Sequence, residues 1–141
     1  MDPFYQPIDL SAINWLAVVA AALAFYAIGA VWYTFLFGKA WMKEVNMTPE
    51  DAKKANLTRV MLLTLLFTLV MVATLALRIG SPEAGPLECV LYGFLTGFGW
   101  VAMGLALNAV YEMRSWRYIL INGGYMVTGF TVAGLILGYW K

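Results

Sequence analysis

Histidine is absent from the chain and there is a single cysteine, Cys89. A His- or Cys-based metal site, a Ser–His pair and a disulfide within the chain are therefore excluded, and no cofactor is expected. The residues left for chemistry are amides, carboxylates and ring hydroxyls near the ends of apolar segments. Asn108 stands one helical turn before Glu112, and Asn122 about one turn after Arg117, with Tyr118 and Tyr125 on neighbouring turns. On a regular helix Gly93, Gly97, Trp100, Gly104, Asn108 and Glu112 follow four- and three-residue steps and share a face. Trp32 and Tyr33 close the first apolar segment. Trp32, Tyr33, Asn108, Glu112, Asn122 and Tyr125 form the candidate ligand-binding set, able to hydrogen-bond a small molecule, a lipid or an ion. The plainer reading of the same residues is an Asn108–Asn122 clamp between helices, with Glu112 paired to Arg59, Arg114 or Arg117. One carboxylate without a histidine or metal set is thin equipment for catalysis, so no catalytic residue is assigned and no enzyme is expected. Cys89 reads as a small interfacial residue rather than a reactive thiol.

The elements that must position these residues follow from composition. Of 141 residues 62% are hydrophobic and 12% charged, with a mean hydropathy of +0.75. Soluble domains carry about 25% charged residues, so a soluble globular protein and a disordered tail are excluded. A net charge of +1 provides no basic field for nucleic acid. The charges cluster, leaving Leu10–Gly38, Val60–Leu77, Cys89–Tyr111 and Tyr118–Trp140 without any. Each is close to the ~20 residues that cross a ~30 Å hydrocarbon core as a helix, and none shows the alternation of a barrel strand. The expectation is an all-α membrane protein. It is an antiparallel bundle of four transmembrane helices in one domain, with spans at about 11–38, 57–79, 87–111 and 117–140. Lys39–Glu44 adds a short interfacial helix. Thr48-Pro49-Glu50-Asp51 has the chemistry of a helix start, and nothing obvious breaks the pattern from there to Leu77. Gly80–Pro86 is a turn-rich link.

Lys39, Lys43, Lys53, Lys54, Arg59, Arg114 and Arg117 lie on two connections, against Arg78 and Lys141 with Asp2, Asp9, Glu83 and Glu88 on the other side. This bias places loops 39–59 and 112–117 in the cytoplasm and both termini outside an inner membrane. Asn14, Asp9, Arg78 and Glu88 would cap the outer end. No charge falls in mid-span, so the embedded carboxylate on which small four-helix multidrug exporters rely is missing. Gly29, Gly93, Gly97, Gly104, Gly129, Gly134 and Gly138 offer close helix packing. The second span has no glycine and should be the most exposed to lipid. Trp and Tyr gather at the predicted interfaces; Trp100 is the deep exception. The leading expectation is a non-enzymatic protein that binds, or helps pass, a small molecule, ion or lipid at a cytoplasm-facing crevice. The alternative is a structural or accessory protein acting through its glycine faces. Either would have the lipid bilayer as its setting and a homo-oligomer as its assembly, with no nucleic-acid partner.

Asn14-Trp15-Leu16-Ala17-Val18, Gly29-Ala30-Val31-Trp32-Tyr33 and Phe37-Gly38-Lys39-Ala40-Trp41-Met42-Lys43-Glu44 resemble the N-terminal signature of a bacterial integral-membrane family. It is domain-of-unknown-function family 1761. Asn122-Gly123-Gly124-Tyr125 and the glycine-rich last helix fit its C-terminal half. The resemblance implies a bacterial membrane setting and no reaction, and it draws attention to Trp32, Tyr33, Gly38, Lys39 and Trp41. Thr34-Phe35 departs from the family pattern, in which a small polar residue and a proline are expected; without that proline the first helix should end straighter.

Overall fold

The structure, a computed structural model, describes residues 9–79 and 83–141. Asp2 and the Gly80–Pro82 part of the predicted turn lie outside the described residues. Among those described, the chain is helical throughout with no strand. Four helices are long and apolar enough to cross a membrane: α1 (Trp15–Leu36), α4 (Leu57–Ile79), α5 (Pro86–Tyr111) and α6 (Trp116–Tyr139). Two short helices, α2 (Gly38–Glu44) and α3 (Pro49–Lys54), fill the connection between α1 and α4. Large apolar side chains such as Leu16, Phe35, Leu62, Phe67, Leu91 and Leu120 are exposed along the bundle. This is the surface of a multi-pass membrane protein, covered by lipid rather than water.

The starts of the four long helices have chemical causes. Asn14 Oδ1 accepts from the Leu16 and Ala17 N–H groups at 3.1 Å and caps α1. Ser115 caps α6 by accepting from Tyr118 N at 3.1 Å. Pro86 opens α5 at a position where its missing N–H costs nothing. The helix expected to run unbroken from Pro49 to Leu77 is interrupted. Ala55 is extended (ψ 139°), and Asn56 starts α4 afresh by accepting from Arg59 N at 3.0 Å. An asparagine caps better than it continues a helix, because its amide competes for the backbone donors.

The tight link between α5 and α6 is a Schellman turn. Arg114 N donates to Ala109 O at 2.8 Å and Met113 N to Val110 O at 3.1 Å, with Met113 at φ 54°. Asn46 ends α2 in the same way, at φ 53°. Glycine is the usual occupant of such a position, so the motif was not legible at Met113.

α3 carries a full capping box. Asp51 N donates to Thr48 Oγ1 at 3.1 Å, while the Asp51 carboxylate accepts from Thr48 N at 3.1 Å and Thr48 Oγ1 at 2.7 Å. The Thr48 hydroxyl, then the Thr48 N–H and the Lys54 ammonium, hold the Asp51 carboxyl below its ordinary value. A depressed carboxyl contributes stability above its unfolded value and loses it as pH falls through the folded value. Protection of the α3 amides from hydrogen exchange should therefore decline below about pH 4. Asp51→Asn should show the lower protection already at neutral pH, with no acid step. A wild-type protection factor that stays flat to pH 2 would contradict this.

α6 is the most buried of the four long helices and organises the bundle. Along α5 and α6, residues meet in opposite order: Gly93 on Phe130 and Gly134, Gly97 on Val127 and Met126, and Cys89 on Gly134 and Gly138. α1 lies antiparallel against another side of α6, with Phe25 on Gly129, Gly29 on Tyr125 and Trp32 on Gly124. α4 is held mainly by α1. Its buried residues, Thr68, Val72, Leu75, Ala76 and Ile79, all lie in its second half, while Leu57–Thr64 are exposed. The bundle is thus closed at its terminal end, and the α4 flank is uncovered at the end carrying residues 39–56. In that first half α4 meets the expectation of high exposure; over its length α5 is buried even less.

Five threonines inside the spans satisfy themselves. Thr64, Thr68, Thr74, Thr128 and Thr131 each donate to the carbonyl four residues earlier, at 2.7–2.8 Å, so they add no unpaired hydroxyl in lipid. Cys89 is fully buried within the protein, packed beside Gly134 and Gly138, with Lys141 Nζ 3.6 Å from its sulfur.

Candidate functional site

α1 does not end as a regular helix. From Trp32 to Leu36 it makes a π turn, closed by Phe37 N donating to Trp32 O at 2.8 Å. The end of α1 expected to be straight for want of a proline at Thr34-Phe35 thus carries one widened turn. α2 begins at once, and Gly38 sits so close to the Tyr33 carbonyl oxygen that a Cβ there would collide with backbone.

The π turn directs two consecutive aromatic residues at α6. Trp32 Nε1 donates to the Ile121 carbonyl at 2.9 Å, and the indole lies over Gly124, where a Cβ would come within 3.1 Å of the ring. Tyr33 donates its hydroxyl proton to Asn122 Oδ1 at 2.7 Å. Asn122 Nδ2 in turn donates to the Tyr118 carbonyl at 2.9 Å, a carbonyl one turn back on its own helix.

Tyr125 joins the group edge-on, with ring centroids 5.3 Å from Tyr33 and 5.4 Å from Phe25. Its hydroxyl rests against Gly29, where a Cβ would stand 2.8 Å from the oxygen. Among the described residues that hydroxyl has no hydrogen-bond partner. Trp41 of α2 meets Tyr33 edge-on at 5.5 Å, and the Glu44 carboxylate accepts from the Ser115 hydroxyl. Those two contacts tether α2 beneath the α1–α6 pair.

Four of the six candidate residues, Trp32, Tyr33, Asn122 and Tyr125, thus come together. Asn108 and Glu112 do not. Both are exposed, Asn108 on α5 and Glu112 just past its end, and Asn108 makes no hydrogen bond with Asn122. The cause is a second π turn, Thr96–Ala102. It adds a residue to one turn, so the inward face passes from Gly93 and Gly97 to Ala102 and Ala109, both buried. The shared face expected from regular spacing fails beyond Gly97. Trp100 is 82% exposed, and a Cβ at Gly104 would meet nothing within 4 Å. Glu112 pairs with Arg114 at 3.3 Å, both partly exposed, and not with Arg59 or Arg117.

Phe25 and Phe37 belong to the cluster and were missed; Phe37 lies 4.7 Å from Trp32, centroid to centroid. The available signal for Phe25 was Gly29 one turn later, marking the same face as an approach surface. A shallow pocket of about 200 Å³ lies at the terminal end between Asn14, Leu137 and Trp140, and a more open one lines Asn56, Arg59 and Leu63. Neither overlies Tyr33 and Asn122.

Comparison with known families matches residues 16–138 to the family described as protein of unknown function (DUF1761). The match spans nearly the whole chain, and the chain belongs to that family. Comparison with curated proteins and with solved structures returns no match.

Proposed function

We propose that this DUF1761 chain is a non-catalytic inner-membrane protein that binds a lipid or another small neutral amphiphile between α1 and α6, at the end carrying residues 39–56. We assign that end to the cytoplasm on the Lys and Arg bias of its connections. The observation that carries the reading is the Trp32–Tyr33–Asn122–Tyr125 cluster, borne on a π turn. Such turns recur where a helix is shaped for a ligand rather than for regularity.

The chemistry defines the ligand class. The cluster offers aromatic faces and neutral hydrogen-bonding groups, with the Tyr125 hydroxyl unsatisfied and one Asn122 N–H to spare. No charged side chain lies within the cluster's part of the spans, so a permeating ion would lack a counter-charge. A molecule with an apolar body and one or two polar atoms matches these groups. The uncovered first half of α4 supports a lateral approach from the lipid.

Native mass spectrometry of the protein released from lipid nanodiscs tests this reading. The expected spectrum carries a reproducible non-protein mass, depleted in Tyr125→Phe. That variant removes a hydroxyl bonded to no described residue, so the fold has no reason to change. Bare wild-type protein, or a mass retained equally by Tyr125→Phe, would overturn the proposal.

A further inference from the structure

Eight of the glycines in α1, α5 and α6 are in contact with neighbouring helices, whereas Gly99 and Gly104 are open. Gly104 belongs to a seam on the outer face of α5, running from Trp100 within its π turn to Leu107, Asn108 and Tyr111 beyond it. Trp100 and Tyr111 are more than four-fifths exposed, and Leu107 is 59% exposed. At 1.5 Å per residue the 26-residue α5 is about 39 Å long, so Trp100 lies near its midpoint. Tryptophan normally anchors at the membrane interface and not at mid-depth. The Asn108 amide, near the edge of a ~30 Å core, has no hydrogen-bond partner among the described residues.

We infer that this seam of α5 is a dimer interface with a second copy of the chain, related by a two-fold axis normal to the membrane. Three features of the seam select a copy of itself. A two-fold along the membrane normal keeps every residue at the depth of its own counterpart, so Asn108 faces Asn108. An amide carries both donor and acceptor, and two of them satisfy each other, whereas a lipid tail satisfies neither. No charge lies between Trp100 and Tyr111, so like charges do not oppose the pairing. Gly104 supplies the close approach. Side chains on a helix lean toward its N-terminus, so the Asn108 amide reaches back over the gap that Gly104 leaves. This inference is independent of the ligand proposed above.

Disulfide crosslinking in native membranes provides the test. The wild-type chain, whose Cys89 is buried, sets the blank. Leu107→Cys on the seam is compared with Leu62→Cys on α4, which is 63% exposed and lies a similar distance from its helix end. The expected result is a covalent dimer from Leu107→Cys and none from Leu62→Cys. Adding Gly104→Ile should lower the dimer yield about tenfold, while Gly99→Ile leaves it unchanged. Gly104 has open space for a side chain within the protomer, so the protomer has no reason to unfold and helical content should not fall. Equal crosslinking from Leu62→Cys would mean random collision. No crosslink would mean lipid on the seam, and a crosslink to a different mass would mean another protein. Each of these, or insensitivity to Gly104→Ile, would overturn the inference.

Discussion

Gly93→Val is expected to reduce the stability of the bundle by ~3 kcal/mol, the upper end of what overpacking costs. A Cβ at Gly93 would run into the Phe130 carbonyl and come within 3.3 Å of Gly134 Cα. At Gly134 the reciprocal obstacle is the Cys89 carbonyl, with Gly93 Cα 3.3 Å away. These obstacles are backbone and cannot rotate aside as a side chain tip would. α5 and α6 must move apart, and α6 is the helix against which both α1 and α5 pack. Removing a glycine favours helix formation by up to about 1 kcal/mol, so propensity works against the predicted direction. A net loss would therefore report packing. Reversible unfolding in mixed micelles measures it, with Gly99→Val as the matched control because a Cβ there meets nothing within 4 Å. Equal stability of the two variants would contradict the packing argument.

Phe25→Ala should cost about 2–3 kcal/mol, less than the 3–5 typical of a water-soluble core. In lipid the transfer part of the cost falls away, since acyl chains are as apolar as the protein interior. What remains is lost contact. Phe25 is fully buried, meets Tyr125 and Phe130 edge-on at 5.4 and 5.2 Å, and occupies the notch that Gly129 leaves in α6. The change should also loosen Tyr125, whose ring position depends on it. A double-mutant cycle makes the prediction sharper. Gly129→Val alone collides with the Phe25 ring and should destabilise, but in the Phe25→Ala background it refills the vacated space and should recover part of the loss. Additive losses would sink the notch-and-ring account.

Several parts of this architecture were legible because they depend on local chemistry. Thr48 caps α3 as its sequence context announces, because its side chain oxygen reaches a nearby backbone donor; Asn14 and Ser115 cap α1 and α6 by the same chemistry, although neither was assigned that role from the sequence. Asn56 carried the same signal and was overlooked in favour of an unbroken pattern, so the break between α3 and α4 was missed. The candidate set divided for a different reason. Trp32 and Tyr33 could be brought to the level of Asn122 and Tyr125 by antiparallel topology alone, which needs only helix length and sense. Asn108 and Glu112 were placed by counting turns along α5, and counting fails where the turn size changes.

Composition and order along the chain determined by themselves that four helices are long and apolar enough to cross a membrane, because lipid demands long charge-free segments with their backbone bonds closed internally. Only the tertiary structure decided which faces meet. The π turns at Trp32–Leu36 and Thr96–Ala102 each displace the following residues around the helix axis, and neither leaves a periodic mark in residue type. Whether a π turn forms depends on the fit of one helix against another: Trp32 over Gly124, and Gly97 against Val127. That fit consumed most of the glycines internally, drew Tyr33 onto Asn122, and left Trp100, Gly104 and Asn108 facing outward.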